Sequence, residues 1–245
     1  MTTPTPSAGH RYLTAAADLV ARLETVEWPR IDVAASVMVE ALATDRVIHA
    51  FGSGHSHMLA EELYYRAGGL VRVRPILFEG LMLHTSTSLS TALERMPGLA
   101  QALFDDHPMT PGDVLIVASN SGSNAVSTEL AQLARDAGVR TIGLTSLGHA
   151  TSPEARRRDG PRLHEVVEIA IDNGGVVGDA AVHIDGLAGK VAPTSTVIGA
   201  AIVNTLVAEV VERLVARGIV PEVYVSGNVA GGDAANERFR HETSR

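Results

Sequence analysis

Val114-Leu115-Ile116-Val117-Ala118-Ser119-Asn120-Ser121-Gly122-Ser123-Asn124 passes without a break from an apolar run to a loop of small polar side chains. Val114 to Ala118 is apolar throughout, with no alternation, and reads as a strand buried on both faces, the habit of parallel sheets. The same change of texture occurs upstream, where Val47 to Phe51 gives way to Gly52-Ser53-Gly54-His55-Ser56. Val71 to Leu77, Thr141 to Thr145 and Val166 to Ile171 complete a set of five strands. Helices are expected at about Ser56 to Ala67, Ser123 to Ala137 and Ser195 to Arg217, with Gly68-Gly69 and Gly138 closing the first two as C-cap glycines do. This alternation predicts an α/β fold on a parallel sheet. In such sheets a ligand sits beyond the carboxyl ends of the strands, where strand order reverses.

Ahead of the first strand, Tyr12, Ala16, Leu19, Leu23 and Val26 recur at helical steps, and Ile31, Ala34, Met38 and Leu42 do so after Pro29. Residues 1–44 are therefore a helical lead-in, 45–218 the α/β domain and 219–245 a tail. The tail, with Gly227-Asn228, Gly231-Gly232-Asp233 and Asn236, has little periodicity and reads as a frayed end or as an arm packing on a neighbouring subunit.

Composition narrows the function classes. A chain of 245 residues at 45% hydrophobic and 20% charged can bury a large core, which excludes a disordered or fibrous protein. Asp and Glu number 28 against 20 Lys and Arg, a formal net charge of −8, and nucleic-acid binding is not expected of that balance. Arg156-Arg157-Arg158, beside Asp159, is the one basic run and reads as a solvated surface loop. Zero cysteines exclude disulfides, thiolate metal sites and a Cys nucleophile. Asp18, Arg22 and Glu24 interrupt any signal-peptide core, and the apolar stretch Val197 to Val203 is too short to span a bilayer, so a cytoplasmic protein without a membrane partner is expected.

Two strand ends running into Ser- and Gly-rich loops and then helices carry the chemistry. A helix N-terminus offers unpaired N–H groups and the positive end of its dipole, Gly admits an anion close to the backbone, and Ser adds hydroxyl donors. Phosphate fits without any lysine. The competing reading is that these Ser and Asn side chains only cap their helices. A dinucleotide fingerprint is the other alternative, with Gly52 and Gly54 as two of its glycines and Glu79 as the ribose-binding acid. His57 stands where the third glycine is required, and the Walker pattern is absent, so no cofactor is expected.

The paired loops Gly52-Ser53-Gly54-His55-Ser56 and Ser119-Asn120-Ser121-Gly122-Ser123-Asn124 resemble those of sugar isomerase (SIS) domain proteins, and the resemblance covers about Asp45 to Gly218. It implies a flavodoxin-like five-stranded parallel sheet and a phosphosugar ligand. Phosphate contact is carried onto Ser56, Ser119, Ser121 and Asn124, the last at a position where threonine is usual; Ser53, Gly54, Asn120 and Ser123 belong to the same loops. Gly54 through Leu63 and Gly231-Gly232-Asp233 are similar to the phosphoheptose isomerase-like branch. The family also implies a homodimer or higher homo-oligomer with sites near subunit interfaces.

Sedoheptulose 7-phosphate isomerase and N-acetylmuramic acid 6-phosphate etherase, two groups of this family, carry a catalytic glutamate where this chain has Arg66. Glu62 lies one helical turn earlier on the same face and is the expected base; its bland reading is a surface residue paired with Arg66. The isomerase also uses a histidine on its final helix. None occurs between Ser195 and Arg217, where Asn204 instead resembles an asparagine of the etherase. Pro193-Thr194-Ser195-Thr196 opens that helix with hydroxyls, so Thr194 and Ser195 join the candidate sugar or phosphate contacts. His55, His57 and His84 lack the spacing of a metal site, and no metal is expected. His57 and His84 are candidates for proton transfer, since imidazole titrates near neutrality, and Glu79 is a candidate second carboxylate. The expected reaction is abstraction of the C2 proton of an N-acetylhexosamine 6-phosphate followed by loss of the C3 hydroxyl. Aldose-ketose isomerisation and a non-catalytic phosphosugar sensor are the alternatives.

Overall fold

The computed structural model describes residues 6–156 and 159–239, so Arg157 and Arg158 of the basic run lie outside the described residues. Two helices open the chain, α1 (Ala8–Arg22) and α2 (Trp28–Ala43), joined by a π-helical turn over Leu23–Glu27. Pro29 lies in the first turn of α2, where the N–H that proline lacks would have no helical partner. The π turn buries Glu27. Its Oε1 accepts from Arg22 and Arg30, both at 3.3 Å, and its Oε2 accepts the N–H of Asp172 at 3.1 Å. Arg22 also donates to Asp172 Oδ2 at 2.8 Å. A buried carboxylate is tolerated only when paired in this way, and this pairing ties the lead-in to the last strand of the sheet.

That sheet comprises β1 (Ile48–Gly52), β2 (Val73–Ile76), β3 (Val114–Ala118), β4 (Arg140–Thr145) and β5 (Ile169–Asp172) in the order β2-β1-β3-β4-β5. All pairs are parallel, with Ile48 opposite both Val73 and Val114. Ile48, Ala50, Val114 and Ile116 pack on one face with α2 and the long helix α9 (Ser195–Ala216), while Phe51, Leu115 and Val117 pack on the other. The crossover from β1 runs through α3 (His57–Leu63) on the first face. Between β2 and β3 lie α4 (Thr87–Glu94) and α5 (Leu99–Asp106), and β3 leaves through α6 (Ala125–Asp136) on the second face. Short helices α7 (Leu147–Ala150) and α8 (Leu163–Val166) flank the path to β5, and an antiparallel pair, β6 (Ala180–Val182) with β7 (Val191–Pro193), precedes α9. The flavodoxin-like α/β sheet is as expected.

Three boundaries differ from the expectation, and α4 and α5 are additional. The first crossover helix stops at Leu63 rather than Ala67: Tyr65 takes a φ of +45°, and the backbone beyond it turns to the tail. There Gly68 N–H donates to Tyr224 O at 2.8 Å and Val71 N–H to Glu222 O at 3.0 Å, which also delays the second strand to Val73. Val166 is helical and the fifth strand starts at Ile169, because the Glu165 carboxylate accepts the N–H of Arg162 at 2.6 Å and closes a helical turn. The stretch between Leu77 and Asp113, which carried no assigned helix, holds α4 and α5. The described part of the tail, with α10 (Gly232–Asn236), packs on its own chain through Val71, Tyr224 and Phe239.

Candidate functional site

β1 and β3 are central neighbours whose crossovers leave on opposite faces, which makes the gap above them the switch point of the sheet. A small cleft opens there, lined by His55, Ser56, Ser119, Asn120, Ser195 and Thr196 among others. Gly52 ends β1 because the next turn folds back over it: a Cβ at this position would stand 2.3 Å from the carbonyl oxygen of Ser56. Gly122 gives the second loop its left-handed turn, with φ of +59°.

The capping pattern separates the two readings of these loops. Ser7, Ser86 and Ser146 each accept an N–H bond from the helix they begin, those of His10, Leu89 and His149. Ser56, before α3, and Asn124, before α6, make no such bond. The hydroxyls of Ser56 and Ser119 have no hydrogen-bond partner among the described residues although Ser119 is only 5% exposed. Serines before α1, α4 and α7 cap their helices, whereas Ser56 and Asn124 leave the starts of α3 and α6 without a side-chain acceptor, which suits an anion there.

The remaining loop residues are engaged with one another. Ser123 Oγ donates to Ser121 Oγ at 3.3 Å, and Asn173 Nδ2 donates to Asn120 Oδ1 at 2.9 Å. The start of α9 is filled differently from the other two. Asp179, at a φ of +68°, accepts the N–H groups of Thr194 and Ser195 on Oδ1 at 3.2 and 2.9 Å and the Ser195 hydroxyl on Oδ2 at 2.5 Å. A carboxylate of the chain thus takes the position of an anion at this helix end. Thr194 is buried, and its hydroxyl has no partner among the described residues.

Glu94 is a residue the sequence reading missed. The end of α4 places it against both loops: Ser53 Oγ donates to its Oε2 at 3.2 Å, and Asn124 approaches it from the other loop. Burial pushes its carboxyl above the usual carboxylate range, against the opposing bond from Ser53 and the nearby Arg95 and Asn124. An ionised Glu94 repels an anion in the loops and a protonated one donates to it. Wild-type affinity for a phosphosugar should therefore fall relative to Glu94→Gln as pH rises above the ordinary carboxylate range, since the population of charged carboxylate grows through its raised pKa. Calorimetric titration of both proteins as pH is raised checks this; parallel pH profiles would contradict it.

Glu62 lies on α3 with both carboxylate oxygens occupied. Asn204 Nδ2, on α9, donates to Oε1 at 2.8 Å, and Arg66 Nη1 donates to Oε2 at 2.8 Å, the i,i+4 pair anticipated from the sequence. His57 is bonded through Nδ1 to the carbonyl of Gly54, with Glu61 3.7 Å from Nε2. Glu79, which opens a 3-10 turn after β2, and His84 are exposed, and neither side chain makes a hydrogen bond among the described residues. The fold thus joins Glu62 to Asn204 and Glu94 to the two loops, and leaves Glu79 and His84 on the outer segment. No three His, Asp or Glu side chains gather as metal ligands among the described residues. Nor is any helix of the described residues long and apolar enough to cross a membrane.

The chain belongs to the SIS domain family, whose pattern matches residues 11–146. It is 43% identical over 204 residues to a UPF0309 protein of Listeria monocytogenes serotype 4b, covering 83% of each chain. It is 44% identical over 206 residues to a UPF0309 protein of Geobacillus kaustophilus, covering 84% of this chain and 82% of the relative. Among solved structures, a phosphoheptose isomerase from Francisella tularensis superposes with a TM-score of 0.54 at 17% identity, over 81% of this chain and 94% of that one. One from Neisseria gonorrhoeae superposes with a TM-score of 0.50 at 20% identity, over 82% and 95%. At these identities the two isomerases share the fold.

Proposed function

We propose that this protein binds an N-acetylhexosamine 6-phosphate, such as N-acetylglucosamine 6-phosphate, and eliminates water across C2 and C3. The loops after β1 and β3 support the phosphate assignment, because α3 and α6 begin without a side-chain cap and the hydroxyls of Ser56 and Ser119 have no hydrogen-bond partner among the described residues. In the open-chain sugar, the C1 carbonyl acidifies the C2 proton. Glu62 takes that proton, the electron pair forms the C2–C3 double bond, and the C3–O bond breaks as a second group protonates the departing hydroxyl to water. Glu94 and His57 are the two candidate acids that the fold keeps at the loops. Phosphate bound at a distance from C2 supplies the orientation that the chemistry needs.

The observation that carries elimination over isomerisation is the Asn204 to Glu62 hydrogen bond. The last helix presents the base with an amide, which orients it without exchanging protons. Isomerisation is the second reading, favoured by the fold shared with phosphoheptose isomerases; it follows if the intermediate is instead reprotonated at C1. Incubation with N-acetylglucosamine 6-phosphate in deuterated water, followed by NMR, separates the outcomes. Elimination predicts loss of the C2 proton signal together with a conjugated 2,3-unsaturated aldehyde. A ketose phosphate would replace this reading by the second, and thermal stabilisation without any C2 exchange would mark a sensor.

A further inference from the structure

Near the amino-terminal end of β1, away from the serine-rich loops, His49 is 6% exposed and neither ring nitrogen has a partner within hydrogen-bond distance among the described residues, Asp113 being its one close acidic neighbour. The nearest carboxylate oxygen, Asp113 Oδ2, lies 3.6 Å from Nε2 and is committed elsewhere. Asp113 accepts the N–H groups of Val47 at 3.0 Å and Thr110 at 2.8 Å, and the Thr110 hydroxyl at 2.9 Å. A buried polar group without a partner is rare in a folded chain and needs a reason.

His49 lines a cavity whose wall also carries Arg46, Arg72, Arg74, His107 and Thr110. Three of the chain's 20 basic side chains therefore converge on one recess of a molecule with net charge −8. Of the acids on the same wall, Asp45 is paired with Arg72 at 3.1 Å, Asp113 is held by its backbone donors, and Asp106 lies 3.6 Å from His107. The cations come from β2 and from the segments leading into β1 and β2, so they suit a tetrahedral dianion with several oxygens better than a planar carboxylate.

We propose that this recess is a second anion site, which takes a phosphate group, free or carried by a small ester, with the His49 imidazole at its floor and Arg46 and Arg74 on its walls. It is distinct from the sugar site: His49 and Ser53 are four strand residues apart, about 13 Å at the usual rise. Burial holds the His49 imidazole below its ordinary range, against the attraction of Asp113, so the empty recess contains a neutral ring. A bound dianion draws a proton onto that ring.

Titration of the full-length protein, labelled with nitrogen-15 at histidine, with inorganic phosphate at constant ionic strength tests the assignment. The His49 ring nitrogens should shift saturably toward the imidazolium pattern, and equally in Ser119→Ala, which disables the other site. Arg74→Gln should weaken the effect at least tenfold, and His49→Gln should remove the response while leaving phosphate binding at the sugar loops intact. Glycerol 3-phosphate in place of inorganic phosphate distinguishes the sources: a tighter titration identifies an ester, and a weaker one identifies free phosphate. No change at His49 over the full titration, the same change with chloride alone, or loss of the response in Ser119→Ala would overturn the proposal.

Discussion

Glu62→Gln should lower the turnover of N-acetylglucosamine 6-phosphate by about a hundred- to ten-thousand-fold, the range ordinarily lost with a positioned general base. That is about 3 to 5 kcal/mol of transition-state stabilisation. Ground-state binding should hardly change, because the phosphate is held by other groups and the amide still offers Asn204 an oxygen in place of Oε1. Steady-state kinetics alongside thermal shift with the same sugar resolve the two effects. A variant that keeps more than a tenth of wild-type turnover would remove Glu62 from the reaction. Asn204→Leu offers a graded companion: as a positioning residue its loss should reduce kcat and leave KM nearly unchanged.

Gly52→Ala should cost both stability and ligand. The added Cβ would come within 2.3 Å of Ser56 O and 2.4 Å of Ser56 C, both backbone atoms, so the turn from Ser53 to Ser56 must move as a whole. Forced overpacking of this kind costs roughly 1–3 kcal/mol, and the melting temperature of a domain this size should fall by about 2–4 °C for each. The larger effect falls on binding. The Ser56 hydroxyl and the start of α3 are displaced from the anion, and affinity for a 6-phosphosugar should drop by at least a hundredfold. Calorimetry on the variant measures both, and wild-type affinity in a folded Gly52→Ala protein would show that this turn does not touch the ligand.

How much of this was readable beforehand follows from the range of each interaction. The strands at Val114 to Ala118 and Thr141 to Thr145, and the loops that follow β1 and β3, are local patterns of apolar continuity broken by Gly and Ser, and they stand where expected. Glu62 with Arg66 is likewise a short sequence spacing, although α3 ends at Leu63 and Arg66 reaches back from beyond it. Asn204 was readable as a polar residue in an apolar helix, but its contact with Glu62 spans 142 positions, which no periodicity encodes. Glu94 gave no signal, since it ends a short amphipathic helix in a stretch with no assigned helix and gains its character only from Ser53 and Asn124 across the fold. The early end of α3 has the same origin. Its sequence continues a helical pattern, and the backbone pairing of Gly68 and Val71 with the tail overrides it. His49 was visible only as one polar residue in a strand, and its isolation from partners depends on Asp113 being satisfied by Val47 and Thr110.

A crystal structure of Glu62→Gln soaked with N-acetylglucosamine 6-phosphate puts the account to its most direct test. The phosphate is predicted between the two loops, accepting from the N–H groups that open α6 and from the hydroxyls of Ser56 and Ser119, with the sugar's C2 within reach of the residue 62 amide. A phosphate bound elsewhere, or a sugar whose C2 faces away from α3, would contradict it.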